Sequence, residues 1–101
     1  MCKLDKPGNV IPTVIIDNKR TRITKWHFKN HWDNTGWHRH QYDYIVTPLF
    51  DGKLEINIGS GENTNALMQN GIPYSQEVGA EHDVINGNVF ECAFIEIEFL
   101  E

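Results

Sequence analysis

The chain has 101 residues, a formal net charge of −5, 40% hydrophobic residues and three tryptophans. That length suits one domain, spanning residues 1–101, with one core, and the aromatic content argues against disorder. The Lys and Arg residues form no basic stripe for nucleic acid, and no window approaches the ~20 apolar residues of a membrane span.

No window of a dozen residues carries apolar side chains at helical spacing, so the chain reads as all-β. Thr13–Ile16 is a short expected strand, and Asp17-Asn18 turns the chain into a second over Arg20–Phe28. A polar loop follows over Lys29–Gly36, then a long strand over Trp37–Thr47 that Pro48 ends with a bulge or an edge. Asp51-Gly52 reads as a tight hairpin into Lys53–Ile58, where Leu54, Ile56 and Ile58 alternate with polar residues. Gly59–Asn63 is a loop, Ala66–Gln69 a weak strand and Asn70-Gly71 a second hairpin turn into Ile72–Gln76. After a turn at Val78-Gly79, strands are expected over His82–Asn86 and Val89–Phe99, separated by Gly87-Asn88. About eight short strands at close spacing indicate a sandwich or barrel.

Two cysteines, Cys2 and Cys92, do not make a disulfide framework. Cys92 lies in an apolar strand and reads as a small buried hydrophobe. The segment from Met1 to Gly8 has no apolar run, so no signal peptide is expected. The expected setting is a reducing cytoplasm.

The chemistry is concentrated in the histidines. His38 and His40 are two apart on an expected strand, so both leave the same face, with Cα atoms ~6.6 Å apart, and Arg39 points the other way. Two imidazoles at that spacing can share one metal ion at ~2.1 Å per nitrogen. A third donor must come from elsewhere, and His82, opening a strand after a glycine turn, is the candidate. One divalent ion is therefore expected on His38, His40 and His82. Imidazoles suit Fe, Zn, Ni and, less often, Mn, so the donor set leaves its identity open.

These residues resemble the two motifs of the cupins. The second motif reads Gly71, Glu77-Val78-Gly79, His82 and Asn86, with Glu77 in place of proline. The first reads His38-Arg39-His40 and Gly52, with Trp32 where its opening glycine would stand. Its glutamate is missing: the two permitted spacings fall on Tyr44 and Ile45. The resemblance covers about residues 20–99 and implies a cupin double-stranded β-helix, a jelly-roll barrel. Thr35-Gly36-Trp37-His38-Arg39-His40 with Tyr42-Asp43-Tyr44 is also similar to small single-domain cupins of β-alanine breakdown.

Tyr44 shares the face of the histidines and is a possible catalytic or ligating phenol; Tyr42 and the tryptophans read as packing. His27 is expected in solvent and His31 in the loop before the site. Asn86 is expected to support its strand. Glu91, Glu96, Glu98 and Glu101 read as a solvated acidic tail, so no carboxylate is expected beside the histidines unless Glu91 turns inward. Two functions fit. One is a metal-dependent dioxygenase, lyase or isomerase of small-acid or amino-acid metabolism; the other is a cupin that binds or senses a small molecule without turnover. Neither calls for nucleic acid or a membrane. A homodimer is expected, because the last strand carries apolar residues on both faces.

Overall fold

The computed structural model describes residues 3–4, 8–59, 61 and 63–100, so Cys2 and Glu101 lie outside the described residues. Ten strands and no helix occur among them: β1 (Lys3–Leu4), β2 (Ile11–Asp17), β3 (Thr21–Phe28), β4 (His38–Arg39), β5 (Tyr44–Pro48), β6 (Gly52–Asn57), β7 (Asn63–Met68), β8 (Tyr74–Gln76), β9 (Glu81–Asn86) and β10 (Cys92–Phe99). They form two five-stranded antiparallel sheets with orders β1-β4-β9-β6-β7 and β2-β3-β10-β5-β8. From β3 to β6 the chain changes sheet at every connection, and it does so again from β7 to β10. The two sheets close over one interior.

The expected strand over Trp37–Thr47 is two strands. The chain leaves the first sheet after Arg39 and enters the second at Tyr44. Both pieces keep their inward parity, because His38, His40 and Tyr44 follow one another at even steps along the chain. The hairpins expected at Asp51-Gly52 and Asn70-Gly71 are crossings between sheets. Neither β5 and β6 nor β7 and β8 pair with each other. A two-residue turn of the type favoured by Asp-Gly requires positive φ at both positions, whereas Gly52 is outside the positive-φ set. Glycine serves there for close approach: a Cβ would meet Asn88 Oδ1 at 2.5 Å. The two crossings are tied together, since Asp51 Oδ1 accepts from Asn70 N at 2.9 Å and Pro48 O accepts from Gly71 N at 2.9 Å. The local hairpins are β2–β3, turned by Asn18 Oδ1 accepting from the amides of Arg20 and Thr21, and β6–β7, which pair from Gly52 with Met68 to Asn57 with Asn63.

The core is built by alternate residues. Trp26 and Phe28 from β3, Tyr44 and Val46 from β5, Leu54 from β6, Val84 from β9 and Phe94 from β10 are all buried. Burying each such side chain stabilises the fold by roughly 1.5–3 kcal/mol. The last strand overturns the expected solvated acidic tail. In β10 it is Cys92, Phe94, Glu96 and Glu98 that point inward, while Ala93, Ile95 and Ile97 face outward; Glu96 is 3% and Glu98 1% exposed. Glu91 stays at the surface, paired with His27 Nε2 at 2.9 Å. Burial pushes the Glu98 carboxyl above the usual range, with Arg22 Nη1, 4.0 Å from Oε1, opposing the shift.

Candidate metal centre

His38 and His82 are direct cross-strand partners in the β4–β9 ladder, so their side chains leave the first sheet side by side. His40 follows two residues after His38, just beyond β4. Its N–H donates to Ala80 O and its carbonyl accepts from Gly79 N, both at 2.9 Å. Gly79 has φ of 99°, a left-handed turn that glycine adopts without a Cβ clash. That turn brings β9 back beside His40. The three side chains then converge. His40 Nε2 is 3.1 Å from His38 Nε2 and 3.0 Å from His82 Nε2, and the candidate ligand atoms of all three rings lie within 4.8 Å of one another. Three nitrogens at right angles around one ion at ~2.1 Å would stand about 3.0 Å apart. The cluster is thus dimensioned to hold a metal ion.

Burial keeps the donors neutral. It lowers His38 and, together with the smaller effect of the neighbouring imidazoles, brings His40 to about 3 and His82 to about 4. Neutral rings present lone pairs, as metal ligation requires. For His38 the tautomer is fixed from behind: Nδ1–H donates to Gly36 O at 2.8 Å, which leaves Nε2 as the lone-pair side. Gly36, at φ of 89°, is held in turn by Asp83, whose carboxylate accepts from Gly36 N at 3.1 Å and from Asn34 Nδ2 at 3.0 Å.

Aromatic rings set the imidazole planes. Tyr44 stacks on His40, with centroids 3.8 Å apart and planes at 16°. Trp26 lies nearly parallel to His38 at 6.4 Å. Tyr44 therefore packs flat against the His40 ring at the position where the cupin motif has glutamate. Tyr42 is half-buried and lies outside the cavity lining. Asn86 is fully buried, and its side-chain NH2 donates to Asn30 O and Phe90 O, so it anchors loops away from the histidines. Cys92 is a buried free thiol, pushed up to about 11 by burial. His31 stacks on Trp32 at 3.9 Å in the loop. Trp32 adopts φ of 72°, a left-handed conformation that explains why the first cupin motif has glycine at this place.

In front of the histidines lies a cavity of about 170 Å³, room for roughly six water molecules. Its wall is largely apolar, with Val46, Leu54, Ile56 and Phe94. Its polar groups include Tyr74, Gln76 and Glu96. Sequence reasoning missed Glu96. The alternation Ile95-Glu96-Ile97-Glu98 was visible, but either face could have been the inner one, and the apolar face is the natural choice until the register of β10 between β3 and β5 is known.

A barrel of two antiparallel sheets with a His-x-His pair beside a third histidine on β9 points to the family. The chain is a small cupin. It is 40% identical over 88 residues to the β-alanine degradation protein BauB of Pseudomonas aeruginosa, an alignment spanning 87% of this chain and 90% of that protein. A crystal structure of a cupin domain from Bordetella pertussis matches with a TM-score of 0.84 and 40% identity over 96% of this chain and 98% of that one. A double-stranded β-helix protein of Klebsiella pneumoniae shares the fold at a TM-score of 0.69 and 19% identity, covering 89% of this chain and 76% of that one. No family model matches the chain.

Proposed function

We propose that this cupin binds one divalent metal ion on His38, His40 and His82 and acts on a small acid or amino-acid metabolite held in the barrel. The observation that carries this reading is the convergence of three imidazoles, His38 and His40 buried and His82 half-buried, on the wall of a mostly apolar cavity. An ion held by three histidines has coordination positions to spare for polarising a carboxylate or carbonyl, activating water or, if it is iron, engaging O2. The chain's own residues do the rest: Gly36 and Asp83 orient His38, Tyr44 and Trp26 fix the ring planes, and the apolar wall excludes bulk water. The role in β-alanine degradation named for the Pseudomonas relative favours amino-acid metabolism as the setting. Glu96 in the cavity wall supplies a carboxylate on the same cavity as the histidines, which favours turnover over a purely binding role.

The test is elemental analysis of protein purified without an affinity tag. About one ion per chain is expected, and its identity separates O2 chemistry (iron) from lyase or isomerase chemistry (zinc, nickel or manganese). Protein that takes up no divalent ion after dialysis against each of these metals would end the proposal. The reading includes a cytoplasmic setting, in keeping with the free thiol at Cys92. It also includes a homodimer, for which the outer face of the second sheet supplies an apolar surface. Ile23 and Ile45 flank Ile97 in register there, and Ile16 adjoins Ile23 at the exposed edge.

A further inference from the structure

Trp26 sits inward on β3 and is 1% exposed. Along the sheet it stands between Phe94 of β10 and Pro12 of β2, two side chains with no polar atom to offer it. Across the interior its ring lies nearly parallel to His38, with centroids 6.4 Å apart. Its indole N–H is a buried donor with no acceptor among the described residues. A buried indole N–H normally finds a partner, and an indole nitrogen only donates, so what Trp26 lacks is an acceptor. The polar groups nearby are committed. His38 turns Nδ1 to Gly36 O and Nε2 to the histidine cluster. Thr35 Oγ1 accepts from Val84 N at 3.1 Å. Glu96, two residues beyond Phe94, already has an interaction within the fold.

Besides protein, Trp26 borders the cavity of about 170 Å³ in front of the histidines. A ligand held there is placed to supply the acceptor. Charge narrows its chemistry. A divalent ion on three neutral imidazoles keeps its full charge of two. Glu96 is the one carboxylate among the described lining residues, and no lysine or arginine is among them. The Tyr74 phenol, pushed up to about 12 by burial and by Glu96, stays neutral. At least one positive charge is thus left to answer in a largely apolar enclosure, where an unbalanced charge is costly. A carboxylate carries one negative charge, whereas a phosphomonoester carries nearly two at neutral pH. One carboxylate oxygen would meet the charge and accept from the indole.

We infer that Trp26 is the residue by which the cavity recognises a short-chain carboxylate, its Nε1–H donating to a carboxylate oxygen of the ligand. The inference rests on the proposed role of the cavity as the ligand site. It adds the group that is recognised and the side chain that recognises it. A volume near 170 Å³ restricts the acid to a few carbon atoms. A site built around such a donor discriminates against analogues that cannot answer it.

Proton–nitrogen correlation NMR reads this directly, because the chain has three indole N–H groups, on Trp26, Trp32 and Trp37. Trp32→Phe and Trp37→Phe assign the Trp26 resonance by elimination, without touching the buried position. The wild type is titrated with propanoate and with propan-1-ol, both zinc-free and after exposure to zinc, with the zinc content measured. Propanoate is expected to move the Trp26 indole proton downfield, as a strengthening hydrogen bond does, while Trp32 and Trp37 stay in place and propan-1-ol leaves Trp26 unmoved. Propanoate should bind at least about tenfold more tightly than the alcohol, as suits a charge-assisted hydrogen bond in a dry site. Trp26→Phe should weaken propanoate about tenfold and change the alcohol by less than about threefold. A Trp26 resonance that propanoate leaves unmoved in both preparations would overturn the inference, as would an unchanged propanoate affinity in folded Trp26→Phe. If that variant does not fold, the wild-type resonance decides alone. Zinc content judges the metal reading separately. Protein that takes up no zinc yet shows the shift keeps the Trp26 contact and counts against the metal, and protein that takes up zinc without the shift does the reverse.

Discussion

Replacing His82 by alanine removes the only donor that β9 contributes to the cluster and leaves two imidazoles from one segment. Metal content is expected to fall from about one ion per chain to near zero by elemental analysis. His27→Ala should leave it unchanged, since His27 faces outward and pairs with Glu91. The same rings set the acid response of the metal-free protein. Folded His40 and His82 protonate at about 3 and about 4, against an ordinary value of 6.5. Between those values the unfolded chain binds protons that the folded chain refuses, so the stability these rings contribute is complete above pH 6.5 and is lost as pH falls toward 4 and then 3. Melting temperatures of chelator-treated protein should therefore drop steadily from pH 7 to pH 4, and His82→Gln should flatten that slope. An equal slope in the variant would contradict the assignment. At this scale the convergence of His38, His40 and His82 was legible in the sequence from spacing and motif. Glu96 was not, because a residue's side of a strand follows from pairing, which is non-local.

Along the elements, β9 and the loop before β4 act as one unit. Asp83 faces away from the cavity, yet it holds Gly36, whose carbonyl fixes the His38 ring. Asp83→Ala should lower metal affinity about 10–100-fold, as loss of an outer hydrogen-bonding partner does, while the fold persists; a competition titration with a chromophoric chelator measures it. In β3, Phe28 is fully buried against Phe94, with ring centroids 5.7 Å apart. Phe28→Ala should cost about 3–5 kcal/mol, read as a shift in the denaturation midpoint. The strands themselves were largely legible, because β-branched and aromatic runs between turn residues mark extended chain. Their connections were less so. Asp51-Gly52 and Asn70-Gly71 carry the composition of hairpin turns, but here they are corners where the chain passes from one sheet to the other. The break between Arg39 and Tyr44 was hidden as well, since inward parity runs through it uninterrupted.

Taken whole, the molecule buries one face of each sheet and leaves an apolar stripe on the outside of the second. Ile15 is 53% and Ile16 44% exposed beside that stripe, at the edge strand β2. Such a stripe on an antiparallel sheet invites a partner. Light scattering after size exclusion should give about twice the chain mass of 11.7 kDa for the wild type and a single chain for Ile16→Glu. A wild-type monomer at micromolar concentration would remove the dimer from the reading.

The sequence by itself determined an all-β chain, its hydrophobic alternation and the identity of three convergent histidines, because strand periodicity and short motif spacings are local properties. The tertiary structure alone decided that His82 stands opposite His38, that β10 turns Glu96 and Glu98 inward and that Trp26 lines the cavity with an N–H that has no acceptor among the described residues. These facts depend on which strands pair and in what register. Register is set by the packing of residues far apart in the chain, so no local window contains it.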